Sequence, residues 1–184
     1  MSNDRSPAEL ESAFVAAARI AAKVDSQSTA LTTLLHIGDE HLVVLTGQGG
    51  EPESVQQLDL GAARIARDYF RHDLPTSPEI ERAIDFAEDE IMRLGNAAAV
   101  ATTLWSTSPA LQAWASVSGP TMTIETIEQW FQRLTSTSLG QPAAMRGLPS
   151  GREAAATLLV LREFMHHRGY TSIVFVEPRQ ALAG

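Results

Sequence analysis

Two histidines bracket two carboxylates in the stretch His36-Ile37-Gly38-Asp39-Glu40-His41, a set that offers the imidazole and carboxylate ligands Zn²⁺ takes. Side chains along a strand alternate between faces, so spacing alone does not aim both imidazoles at one point, and a solvated polar turn explains the same residues without a metal. His166 and His167 are adjacent; on a helix they point about 100° apart, which suits a surface better than one shared ion. The chain has no Cys, which excludes disulfides, thiolate metal sites and a Cys nucleophile. No Ser stands in a Gly-x-Ser-x-Gly elbow, and Gly47-Gln48-Gly49-Gly50 lacks the Lys-Ser/Thr tail of a P-loop, so it reads as a hairpin turn. The acids Glu79, Glu81, Asp85, Glu88, Asp89 and Glu90 read as a solvated helix face rather than as acid/base machinery. Trp105, Trp114 and Trp130 read as core anchors in preference to an aromatic recognition surface. On the residues alone, no catalytic group and no metal ligand set is assigned.

The elements that must position these groups follow from composition and period. A chain of 184 residues, 44% of them hydrophobic, suffices for one folded domain with a core and is cramped for two. Acidic side chains outnumber basic ones by 22 to 14, and the resulting net charge of −8 opposes nucleic acid, anionic membranes and polyphosphate alike. No apolar run resembles a signal peptide or a membrane span, so a cytoplasmic protein is expected.

Ser6, Pro7 and Glu9 form a helix-start signal, with apolar residues at helical spacing from Leu10 to Ala21; a helix is expected from about Pro7 to Val24. Three short apolar runs, 30–37, 41–46 and 54–60, are separated by Gly-rich breaks and predict an antiparallel meander. The period turns helical after Gly61. A long helix begins at Ser77-Pro78-Glu79 and stops at Gly95; a strand of small residues is expected over 97–102; helices are expected over about 123–134 and 152–168, around a Ser/Thr/Gly/Pro-rich stretch at 135–151; and a last strand covers 172–176. Strands followed by helix-separated strands predict an α/β fold with a mixed sheet.

The passage from Leu58-Asp59-Leu60-Gly61-Ala62-Ala63-Arg64 to Phe70, then Asp73-Leu74-Pro75-Thr76-Ser77-Pro78-Glu79-Ile80, resembles the exopolyphosphatase / guanosine pentaphosphate phosphohydrolase (Ppx/GppA) family, where a segment of the type LxLGAxRLxExF precedes DPPTxEEI. The turn at Gly119, Leu148-Pro149-Ser150-Gly151-Arg152, Leu159-Val160-Leu161-Arg162 and the strand from Ile173 fall in the family's order. The resemblance covers about residues 28–184 and implies the second, ribonuclease H-like (actin-like ATPase) half-domain. It would have a mixed five-stranded sheet with a three-strand meander and flanking helices, with residues 1–27 forming a helix packed on it.

The departures from the family pattern bear on function. Its first hairpin resembles Asp-Ile-Gly-Gly-Gly-Ser-Thr-Glu-Leu, a turn whose backbone lets phosphate approach; here the stretch runs from His36 to Val44, with Asp39 and Glu40 replacing two glycines. Loss of three charge-assisted hydrogen bonds would weaken phosphate binding by roughly a thousandfold or more. The second loop, of the Gly-Thr-Ala-Thr-Thr type, becomes an alanine run ending in Thr102-Thr103, and Val-His-Gly becomes Val117-Ser118-Gly119. The family's first domain, with its general-base Glu, has no counterpart expected here. The resemblance thus implies a non-catalytic, stand-alone domain acting through protein association, as a homo-oligomer or with another protein. Gly38, Asp39, Glu40, His41, Arg64, Thr102 and Thr103 would be remnant phosphate-loop positions. The alternative is a phosphohydrolase or phosphate-binding module acting on polyphosphate or guanosine pentaphosphate, with Mg²⁺ if turnover survives and a partner supplying the missing domain.

Overall fold

The computed structural model describes residues 3–24, 31–48, 50–95 and 103–176. Helix α1 (Pro7–Val24) begins with the expected capping box: Ser6 N donates to Glu9 Oε2 at 2.8 Å, and Glu9 N returns a bond to Ser6 Oγ at 3.4 Å. Strands β1 (Thr32–Ile37), β2 (Leu42–Gln48) and β3 (Glu51–Leu58) form the meander. The β2–β3 hairpin is tight, pairing Gln48 with Glu51, and Gly50 takes a φ of 92°, which a side chain would resist. Helices α2 (Ala62–Asp68) and α3 (Ser77–Met92) follow, then β4 (Thr103–Ser106), α4 (Gln112–Ser118), β5 (Thr121–Thr123), α5 (Ile124–Ser138), α6 (Arg152–Arg168) and β6 (Ser172–Phe175).

The strands lie in the order β3-β2-β1-β4-β6-β5, with β4 parallel to both β1 and β6 and the remaining pairs antiparallel. The described residues therefore form six strands where five were expected. The addition is β5, a three-residue edge strand in what reads as a turn; it is too short to show alternation, and its pairing with Ser172–Val174 defines it. The expected strand over 97–102 lies outside the described residues. The described strand, β4, starts just after it and carries Trp105.

Alternation along the strands sorts the core into two layers. Leu35, Ile37, Leu42, Val44 and Leu104 face α2, α3, α5 and α6 in the larger cluster. Leu34, Val43, Leu45 and Trp105 face the other way, onto Leu10, Phe14 and Ala17 of α1. β1 is buried along its whole length because it is covered on both faces; β3, at the edge, is exposed from Glu53 to Gln57. The three tryptophans are core residues: Trp105, Trp114 and Trp130 are all buried, and the rings of the last two meet at a tilt of 34° with centroids 5.0 Å apart. α6 packs on α2, α3 and α5 and is buried without a break from Ala155 to Leu161, as a central helix must be.

Candidate functional site

The parallel neighbours β1 and β4 end on the same side of the sheet, and the β1–β2 turn projects there. Gly38 N donates to His41 O at 2.9 Å and closes the turn. Its carbonyls are met by the first amides of α2: Gly61 N to Glu40 O at 3.1 Å, Ala62 N to Gly38 O at 2.9 Å, and Arg64 N to Asp39 O at 3.0 Å. This close approach depends on Gly61, since a Cβ there would collide with the Asp39 carbonyl. The amides of Gly61, Ala62 and Arg64 are therefore spent on the turn.

The amides of Asp39 and Glu40 in the turn are also taken. A strap formed by Asn3, Asp4 and Arg5 crosses it before α1 begins. Asp4 Oδ1 accepts from Asp39 N at 2.9 Å and from Glu40 N at 3.3 Å, and a Cβ on Gly38 would strike the same oxygen. A carboxylate thus stands where backbone donors and a glycine leave room for an anion. Asn3 N donates to Asp39 Oδ2 at 2.8 Å, and Asn3 O lies 2.9 Å from His36 Nε2. Arg5 donates to Thr107 Oγ1 at 2.8 Å and Thr107 O at 2.9 Å, fastening the strap to the loop after β4. That loop is held to β1 by Ser106 Oγ, which donates to Leu35 O at 2.7 Å, and by Ser108 Oγ, which donates to Ile37 O.

His36 is buried, and burial pushes its pKa down more than the Asn3 carbonyl raises it. Its Nδ1 has no hydrogen-bond partner, so a second ring proton would go unsatisfied. Glu40 forms a two-pronged pair with Arg67, at 2.6 and 3.2 Å, which lowers the Glu40 pKa and raises that of Arg67. His41 Nε2 lies 3.6 Å from Asp59 Oδ1, on the far side of the turn's neighbours.

Among the positions singled out from the sequence, Gly38, Asp39, Glu40 and His41 come together in this turn. Arg64 contributes its backbone amide there, while its guanidinium pairs with Asp59 and Asp68 and lies over the Phe86 ring. Thr103 is elsewhere. It begins β4, at the end of the sheet opposite the turn, with its hydroxyl 3.2 Å from Ser172 Oγ. Thr102 lies outside the described residues. His36 and His41 do not gather round a shared point: the first bonds to the strap and the second faces Asp59. The residue that sequence reasoning missed is Asp4, since one acid ahead of a helix cap carries no periodic signal.

The sequence matches the Ppx/GppA phosphatase family over residues 24–169. The chain belongs to that family. No curated protein matches it. Among solved structures, a type II variant of the Ppx/GppA phosphatase of Aquifex aeolicus superposes with a TM-score of 0.73 at 15% identity, covering 95% of this chain and 61% of that one. An exopolyphosphatase-like protein gives 0.70 at 14% identity, covering 97% and 66%. An exopolyphosphatase from Cytophaga hutchinsonii gives 0.62 at 12% identity, covering 95% and 62%. At these identities the likeness establishes the mixed α/β, actin-like ATPase-type fold, and the chain spans about 61% of the first relative's length. No helix among the described residues is long and apolar enough to cross a membrane.

A hard cation such as Mg²⁺ does not fit the turn of this Ppx/GppA domain. Asp4, Asp39 and Glu40 each direct carboxylate oxygens at N–H donors, whereas Mg²⁺ needs oxygens free to surround it.

Proposed function

We propose that this Ppx/GppA-type domain does not hydrolyse phosphoanhydrides at its β1–β2 turn and acts through association with another protein chain, a second copy of itself included. The observation that carries the first half is the Asp4 carboxylate on the amides of Asp39 and Glu40. A phosphoryl group would have to displace a tethered carboxylate and then sit between the Asp39 and Glu40 side chains, like charges in close contact. Three N–H donors at the start of α2, those of Gly61, Ala62 and Arg64, are committed to the turn's carbonyls.

Association is supported by the open edge of β3. It stands at the end of the strand order, with its outer backbone row facing no further strand among the described residues and with Val55 exposed. Glu51, Pro52 and Glu53 guard the first half of that edge; Ser54 to Gln57 carry no charge.

The second reading is phosphate or nucleotide binding, favoured by the turn's retained shape: two amides still converge on a single oxygen. Phosphate release from polyphosphate and from guanosine pentaphosphate separates the two. The expected rate equals that of buffer, and turnover that disappears in Gly38→Val would overturn the non-hydrolytic reading. Light scattering at micromolar concentration should show an oligomer that Val55→Lys dissociates; a monomer would refute the association half alone.

A further inference from the structure

Beyond the turn, on the helical side of the sheet, α6 carries one acid in its apolar middle. Glu163 is fully buried, and its two oxygens have different surroundings. Oε1 accepts from the guanidinium of Arg162, which is itself fixed by Glu128 at 2.9 Å and by the Phe131 ring at 4.9 Å. Oε2 has no hydrogen-bond partner. It points at His167 Nε2, one helical turn on and 3.6 Å away, and Nε2 in turn lies 3.2 Å from Glu88 Oε1 on α3.

We infer that Glu88, Glu163 and His167 form a site for a divalent transition-metal ion of the Zn²⁺ class, cross-linking α3 to α6. The three ligand atoms lie within 4.8 Å of one another. Bonds of about 2.0–2.2 Å to a tetrahedral Zn²⁺ put neighbouring ligand atoms roughly 3.3–3.5 Å apart, and the two measured separations, 3.2 and 3.6 Å, bracket that range. One imidazole and two carboxylates are ligands of the right kind, and the ion's two positive charges balance the two carboxylates. Arg162 does for Glu163 what outer partners do for metal-bound carboxylates: it engages one oxygen and leaves the other directed at the ion. His166, next in sequence, meets the His167 ring edge-on, with centroids 5.6 Å apart, and is not one of the three residues whose ligand atoms come together, so a His-His pair unsuited to sharing an ion still supplies one ligand. This departs from the expectation, drawn from the sequence, of no metal. The site is independent of the β1–β2 turn, so either can fail without the other.

The test is a titration of the full chain with Zn²⁺ and, separately, with Co²⁺. Wild type should bind one Zn²⁺ per chain, gain thermal stability on binding, and give the visible absorption of tetrahedral Co²⁺. His166→Ala should behave as wild type. His167→Ala and Glu88→Gln should lose more than the roughly tenfold to hundredfold that removing an outer partner costs. A wild type that shows no saturable binding, or a His167→Ala protein that binds as tightly as wild type, would mean that the cluster is an ion pair only. Without any variant, Zn²⁺ should protect His167 from ethoxycarbonylation as read by mass spectrometry; unchanged labelling would equally overturn the site.

Discussion

Asp4 and Glu163 are both carboxylates, and they are placed in opposite ways. Asp4 lies at the surface, yet one of its oxygens takes two amide hydrogens from the β1–β2 turn. Glu163 is fully buried, yet one of its oxygens takes none. A carboxylate that meets N–H donors closes a site, because it satisfies groups that would otherwise bind an external anion. A buried carboxylate oxygen without a donor opens one, because its desolvation is left without compensation until a proton or a cation arrives. Burial alone would have pointed to the wrong residue for each role.

The largest test of this contrast is a third carboxylate, Glu79, which is buried and rich in donors. Burial pushes its pKa up, but bonds from Thr76 N at 2.7 Å, Arg71 N at 2.8 Å, Thr76 Oγ1 at 2.9 Å and His72 Nδ1 at 3.1 Å outweigh that and hold it at about 2. Glu79→Ala should cost about 2–3 kcal/mol in chemical denaturation. Because its folded pKa is depressed from 4.5, the stability it supplies is complete above that value and is lost as pH falls toward about 2. An acid-denaturation midpoint that Glu79→Ala leaves unmoved would break the contrast.

Next is Asp4→Ala, expected to cost about 0.5–1.5 kcal/mol and to free the two turn amides for exchange with solvent deuterium. A smaller effect concerns the strap's anchor. His36 has a pKa lowered below its usual 6.5, so the fold binds it neutral; its contribution is complete above that pH and declines as pH falls through it. Replacing His36 by Gln should flatten the stability-versus-pH curve below pH 6.5, and an unchanged slope would place the loss elsewhere. Smallest is Thr103→Val, at the other end of β4: within about 0.5 kcal/mol of wild type, with no change in the amide resonances of Asp39 or Glu40.

The sequence carried the helices and the meander well, for physical reasons visible in single residues. The Ser6–Glu9 and Thr76–Glu79 capping boxes mark helix starts, and Gly169, with φ 74°, ends α6 where a left-handed residue is required. The expected strand at 97–102 lies outside the described residues; just past it, β4 is fixed by Leu104 and Trp105, which face opposite layers, an alternation that an alanine run does not display. β5 is defined only by its partner β6. The turn at Gly38 to His41 was legible as a site, but what fills it was not: Asp4 lies far away in sequence, and nothing local connects it to those amides. Glu163 and His167 do stand at the i, i+4 spacing of ligands on one helix face, a signal hidden beneath the more conspicuous His166-His167 pair.

The most direct measurement is a phosphate titration of the ¹⁵N-labelled chain, following the amide resonances of Asp39 and Glu40. With the Asp4 carboxylate already on those hydrogens, both resonances should stay fixed through millimolar phosphate and shift when Asp4 becomes Ala. A saturable shift of the two amides in wild type, reproduced by polyphosphate at lower concentration, would show an open anion site and contradict the account.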